Sequence, residues 1–466
     1  MNSRLSKKEE QKRDFILNGN EWLVLLQVGY PLVFYNGISQ IFSFIDTLIA
    51  ASMGASVISA ISFISQIQSM FTALSSGISV GGSILVARAI GANDINRVYA
   101  MKRLLLLITI IVGGIILLVG IPLAPFILQL FKIPDELRDL GISLFRIEML
   151  GIFCIFINSL YFTFQRASGN TGKIFLANML ILISKLILTL SFVYLFNWGP
   201  TSLSWASCIS QGIIAVFVVV DLFDIFRLGT TQKQNKLNSI SEGNELRTLF
   251  GLSLPVFMEK FIFSYGKAVV NTMGAAYGSM AVGALGVSNR IGGLATMPPI
   301  GFQEAEAAII SQNLGNKNYR RAFRFFAITT IINLALGMFF FILMSIFKNQ
   351  IIMLFAKRNL VFAHEIDSVY TYERYATVLL ALSSSVMGLL YGFGYTRISM
   401  ILNLLRLFVF RIPPLWFFQH YTELGIIGLG LSMMISNILM GISSILVAIY
   451  IIYRYVKGYY REKTNT

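Results

Sequence analysis

Charge is scarce in this 466-residue chain. Only 13% of its residues are Asp, Glu, Lys or Arg, against about a quarter in soluble domains. Cysteine and histidine are scarcer, two of each. Cys154 and Cys208 both fall in apolar stretches, make no disulfide framework, and read as small core residues. His364 and His420 have no metal-ligand spacing, so no metal site is expected. No G-x-x-x-x-G-K-[ST] pattern occurs, which excludes ATP hydrolysis through a P-loop of this chain. No His, Cys or Ser cluster has catalytic spacing, which argues against an enzyme. Acidic residues are few, 22 against 37 basic ones. The excess does not point to nucleic acid, because the cations flank apolar segments, as membrane topology requires.

Apolar residues fill that space: 56% of the chain is hydrophobic and mean hydropathy is +0.72. Runs of about 20 apolar residues, enough to cross a bilayer as helix, recur from end to end. They predict an all-α polytopic membrane protein with twelve spans. These lie near 22–47, 57–87, 104–130, 143–166, 174–196 and 202–227, then 250–276, 284–313, 323–350, 372–392, 396–418 and 424–453. Lys and Arg crowd one side of this arrangement, 24 against 7. Both termini are therefore expected in the cytoplasm of a cell-membrane protein. Residues 1–21 are polar and basic and read as a cytoplasmic segment, with no cleavable signal peptide. Residues 228–248 read as a cytoplasmic linker between two lobes, 22–227 and 249–455, and 456–466 as a tail. The segments 132–141 and 356–371 are expected as matching outward-facing loops.

The chain also contains itself. A shift of 224 positions lays Pro31 on Pro255, Gly54 on Gly278, Gly77 on Gly301, Gly91 on Gly315 and Arg97 on Arg321. Further on, Gly169 matches Gly394 and Asn178 matches Asn403 at a shift of 225. Most identities are Gly and Pro, whose backbone roles few residues can replace. Two homologous halves predict two pseudo-symmetric six-helix lobes around a cavity, a common plan of secondary transporters.

Further motifs carry a family pattern. The first half has Pro31, Asp46-Thr47, Met53-Gly54-Ala55, Gly77-x3-Gly81 and Ala89-Ile-Gly-Ala-Asn-Asp94. The second has Pro255, Gly278, Pro298-Pro299-x-Gly301 and Ser311-Gln-Asn-Leu-Gly315, and the turns Gly169-Asn-Thr and Gly394-Tyr-Thr match one another. Over nearly its whole length the chain resembles the multidrug and toxic compound extrusion (MATE) transporters. The resemblance implies alternating-access export of amphipathic organic compounds in exchange for H⁺ or Na⁺. It implies no other cofactor, and its expected partners are a small-molecule substrate and the lipid bilayer. A self-contained two-lobe cavity makes a monomer sufficient.

Ionisable residues inside a membrane are costly and are functional candidates by default. In the first span Asn36, Gln40, Ser43 and Thr47 share one helical face, with Asp46 beside it. The same positions in the seventh span hold Lys260, Ser264, Lys267 and Asn271. The two stripes are expected to line the cavity, together with Arg290 and Glu306. The resemblance implies an ion-coupling carboxylate at Asp46. Many relatives carry Asn and Asp in the fifth span where this chain has Lys185 and Thr189. A lysine there is a tethered cation that disfavours Na⁺, and the reading therefore favours protons. Either Lys185 pairs with Asp46 and exchanges protons, or it is a static partner, or it reaches to an interface. Glu259 and Glu304 are the alternative coupling residues. Glu304 and Glu306 point in different directions, and one of them is expected to meet Arg290 or Lys267. With cations in the second stripe, a flippase or exporter of a lipid-linked or anionic amphiphile is the alternative function.

Overall fold

Helices account for the regular structure throughout the computed structural model, which describes residues 7–53, 55–130, 138–231, 242–356 and 359–464; no strand occurs among them. In the first half these are α1 (Lys7–Asn18), α2 (Glu21–Ser52), α3 (Ala55–Gly91), α4 (Ile95–Gly120), α5 (Ala124–Leu130), α6 (Arg138–Ala167), α7 (Thr171–Leu190) and α8 (Ser202–Thr231). The second half has α9 (Glu242–Ala275), α10 (Ser279–Gly315), α11 (Tyr319–Ile346), α12 (Lys348–Ala356) and α13 (Leu360–Tyr375). It ends with α14 (Thr377–Phe393), α15 (Thr396–Leu404), α16 (Ile412–Tyr421) and α17 (Ile426–Thr464). Short helices extend or bend their neighbours, leaving six spans per half: twelve in two pseudo-symmetric lobes.

The matching glycines and their neighbours mark shared turns. After α6, Gly169 (φ +73°) and Asn170 donate their amides to the carbonyls of Arg166 and Gln165. After α14, Gly394 (φ +78°) and Tyr395 bond Tyr391 and Leu390 in the same pattern. Both are helix ends closed by a left-handed residue, which glycine enters without steric cost. The α3–α4 and α10–α11 turns agree as well. Asn93 and Lys317 both have φ of 58°, and Asp94 and Asn318 cap the next helix by accepting the amides of Arg97 and Arg321. The internal repeat is thus a repeat of caps.

The buried core shows how the lobes meet. One cluster draws on both halves, from Leu25, Leu85 and Phe164 to Phe302, Phe325 and Leu390. It lies toward the end that carries the basic turns. Toward the other end the core divides into a first-half cluster around Phe145 and Met149 and a second-half cluster around Tyr370 and Leu429. The lobes are joined at the basic end and parted at the opposite one. The seam runs along α2–α10 and α3–α9. Glycine permits its closeness: a Cβ on Gly301 would stand 2.6 Å from the Val33 nitrogen, and one on Gly91 would overlap the Gln312 carbonyl.

Three segments differ from the sequence reading. Within residues 1–21, α1 is an ordered helix that buries Ile16 and Leu17. Residues 360–371, expected within an outward-facing loop, belong to α13, which runs on to Tyr375. Asn359 caps it by accepting the Phe362 amide, and Ile366, Val369 and Tyr370 bury one face at helical spacing. The helix meets α14 at a 51° bend. Of the 228–248 linker, α8 continues to Thr231 and α9 begins at Glu242, and 232–241 lie outside the described residues. Residues 132–137, Lys357, Arg358 and Gly54 also lie outside them.

Candidate functional site

Where the lobes part, a cavity of about 340 Å³ opens between α2, α3, α9 and α10, beside one of about 350 Å³ that Gln40 and second-half helices line. Gln40 of α2 lines both, as does Lys267 of α9. Ser264 and Asn271 line one and Lys260 the other. The α9 stripe therefore faces the cavity along its length. The α2 stripe divides its task. Asn36 Nδ2 donates to the Met297 carbonyl of α10 at 3.4 Å, and Thr47 Oγ1 accepts from Arg290 Nη1 at 2.8 Å. These two tether the lobes, and Gln40 faces the space between them. Ser43 is not among the lining residues; its carbonyl accepts the Thr47 hydroxyl.

Asp46 and Lys185 meet. Lys185 Nζ lies 2.5 Å from Asp46 Oδ2, with both side chains about a quarter exposed. Lys185 therefore turns inward from mid-α7 and does not reach to an interface. It is also within electrostatic reach of Glu148, whose Oε2 accepts from Gln68 Nε2 at 2.9 Å. Glu148 was missed in the sequence, although the shift of 225 that lays Gly169 on Gly394 also lays Glu148 on Glu373. Thr189 is wholly buried.

The second lobe holds the denser polar group. Glu259 is 4% exposed; its Oε1 accepts from Tyr391 at 2.8 Å and its Oε2 from Ser399 at 2.9 Å. Lys260 approaches it at 3.9 Å. A π-turn at Leu405–Val409 turns Arg406 toward Asn437, and Arg411 follows just beyond it. Single π-turns of this kind recur at functional sites. Glu373, at the α13–α14 bend, faces Arg406, Arg411 and Lys267 across the cavity and accepts the Ser288 hydroxyl at 2.5 Å. It was also missed: its segment reads as a loop margin, and only the bend carries it inward.

Glu304 and Glu306 depart from expectation. Neither meets Arg290 or Lys267. Glu304 pairs at 2.8 Å with Arg166 of the other lobe. Glu306 is wholly buried against Gly388 of α14 and lines neither cavity. The cause is the close α10–α14 packing at this level, which encloses the face that Glu306 occupies.

The basic end is closed by polar contacts as well as by packing. Arg13 of α1 donates to the Ile90 and Gly91 carbonyls at 2.8 and 3.1 Å. Arg321 of α11 donates to the Ile16 and Gly19 carbonyls and pairs with Glu21. Helix α1 thus bridges the two lobes. Among the described residues no cluster of three His, Cys, Asp or Glu could hold a metal ion. Cys154 and Cys208 are free thiols.

Comparison with known proteins agrees with this architecture. The chain is 22% identical to a probable multidrug resistance protein, YoeA, of Bacillus subtilis over 85% of its length and 87% of that protein's. It is 19% identical to a probable multidrug resistance protein, NorM, of Thermotoga maritima over 88% of each. The solved structure of a multidrug resistance MATE family transporter in an outward-facing conformation superposes with a TM-score of 0.86 at 20% identity, covering 95% of this chain and 98% of that one. The MatE family model matches residues 31–195 and again 255–417, once in each half. The chain belongs to the MATE family of multidrug efflux transporters.

Proposed function

We propose that this protein is a proton-driven antiporter that exports amphipathic organic compounds by alternating access. The observation that carries the reading is the Lys185–Asp46 pair. An ammonium 2.5 Å from the carboxylate occupies the place a coupling cation would take. Na⁺ would have to displace a covalently tethered charge, whereas a proton needs only to neutralise Asp46 and release Lys185. Protonation then breaks a contact between α2 and α7, and a change in α2 reaches α10 through Thr47–Arg290. That gives a proton different free energies in the two conformations, which coupling requires. Glu259 and Glu304 are weaker candidates: the first is held by two hydroxyl donors and the second by Arg166.

In this reading the basic end is cytoplasmic, both termini lie there, and the parted end faces outward. Residues 22–227 and 249–455 are the moving lobes and 228–248 their link. The protein works as a monomer, with no bound cofactor beyond the coupling ion.

Proteoliposomes loaded with ethidium or 5-carboxyfluorescein, under separately imposed pH and Na⁺ gradients, test this. A pH gradient alone should drive transport of at least one dye. Asp46→Asn should abolish that transport while the protein stays folded. Lys185→Met should change ion dependence. Transport driven only by Na⁺, or undiminished pH-driven transport by Asp46→Asn, would sink the proposal.

A further inference from the structure

The wall that the second lobe presents to the cavity is rich in unneutralised cations. We propose that it seats the anionic group of an organic amphiphile, so that the exported compound carries a carboxylate or phosphate. This rests on the transporter reading above and names its substrate class.

Lys260, Lys267, Arg406 and Arg411 line the larger cavity, and Arg290 lines its neighbour with Lys267 and Arg411. Glu259 and Glu373 are the carboxylates that line either among the described residues. Within that set none of Lys267, Arg290, Arg406 and Arg411 has a carboxylate oxygen within 4.0 Å. What holds them is neutral. Arg290 rests on the Thr47 hydroxyl. Arg406 and Arg411 converge on one acceptor, Asn437 Oδ1, at 2.7 and 2.8 Å, and Arg411 Nε donates to the Ser436 hydroxyl. A shared amide oxygen fixes two guanidiniums in place without cancelling their charge. Glu373 is one negative charge against Lys267, Arg406 and Arg411.

Cations gathered on the wall of a low-dielectric cleft repel one another and raise the local concentration of anions. Guanidinium forks bind carboxylate or phosphate in bidentate fashion. The larger cavity is lined by Met297, Met387, Met433, Met440 and Phe263, an adaptable apolar surface for the body of the ligand. A cationic compound would meet a wall of its own sign.

The test is equilibrium binding, with no gradient. The full chain in nanodiscs of zwitterionic lipid is titrated into 5-carboxyfluorescein and followed by anisotropy, with empty discs subtracted. Saturable binding is expected, weakened at least tenfold by Lys267→Met and by Arg290→Gln, each with an unchanged melting curve. Naphthyl phosphate and 2-naphthoate should compete, and the stronger of the two assigns phosphate or carboxylate as the preferred head. Ethidium should not compete. No binding, ethidium competing as well as the anions, or the Lys267→Met/Arg290→Gln double variant binding as tightly as the parent would overturn the inference. Transport separates it from the coupling reading. pH-driven export of ethidium without anion binding defeats this inference alone; anion binding without pH-driven transport defeats the coupling alone.

Discussion

Glu306 shows how little a residue's type says about its role until its neighbours are known. Written in the sequence, it is one more intramembrane carboxylate. In the fold it is wholly buried, and neither of its oxygens has a hydrogen-bond partner among the described residues. A buried, unpaired charge is strongly unfavourable, so the side chain belongs there in its neutral form. Glu306→Gln should therefore melt within about 1 kcal/mol of the parent, since one neutral group of similar shape replaces another. Glu306→Lys should prevent stable folding. Tyr391→Phe is the contrasting case. It removes a donor to the buried Glu259 carboxylate and should cost about 1.5–3 kcal/mol. Thermal unfolding in one detergent compares all three, and a large loss for Glu306→Gln would reveal a partner not accounted for. Asp46 and Lys185 were legible in the sequence because a family pattern made their positions conspicuous. Glu148 and Glu373 were not, because only side-chain direction and a helix bend bring them to their sites.

At the level of elements, the twelve spans follow from hydropathy, and their turns from Gly, Asn and Asp at matched positions. Helix α1 escaped this reading because it is polar overall. Its stability comes from docking on other elements rather than from its own apolar face. Arg13 binds the end of α3, and Arg321 of α11 binds the carbonyls at the end of α1. Deleting residues 1–18 removes the Arg13 link, the Ile16 carbonyl that Arg321 binds and the burial of Ile16 and Leu17, a loss on the order of 3 kcal/mol. The truncated protein should melt earlier, and spin labels on the α3–α4 and α10–α11 turns should report a broader, longer distance distribution. An unchanged distribution would show that α1 does not hold the lobes together. Helix α13 was missed for a different reason: its charged residues masked an amphipathic pattern that only the packed face of Ile366, Val369 and Tyr370 makes plain.

The whole molecule is a pair of lobes sharing one core at the basic end and separate cores at the other. Alternating access requires that seam to come apart, so substitutions along it should shift the balance of conformations rather than destroy the fold. Gly91→Val places side-chain atoms against the Gln312 carbonyl and should favour states open at the basic end. The Arg166–Glu304 pair, 2.8 Å across the lobes, should act in the opposite sense. Arg166→Glu alone opens the seam, and the exchange Arg166→Glu with Glu304→Arg restores closure. Distances between spin labels on the two lobes read both effects. If the exchange behaves like the single change, the pair is not part of the latch.

The sequence by itself determined that the chain is helical, embedded in a membrane, doubled and related to MATE transporters. Those properties depend on hydropathy averaged over about 20 residues, on glycine at left-handed turns, and on motifs carried in order along the chain. Tertiary structure alone decided which end of the lobes is closed and which polar groups share the cavity. It paired Asp46 with Lys185 and gave Glu304 to the opposite lobe. It hid Glu306 and turned Glu373 inward. Such outcomes depend on contacts between helices far apart in sequence, where a rotation of one residue about a helix axis exchanges cavity for core.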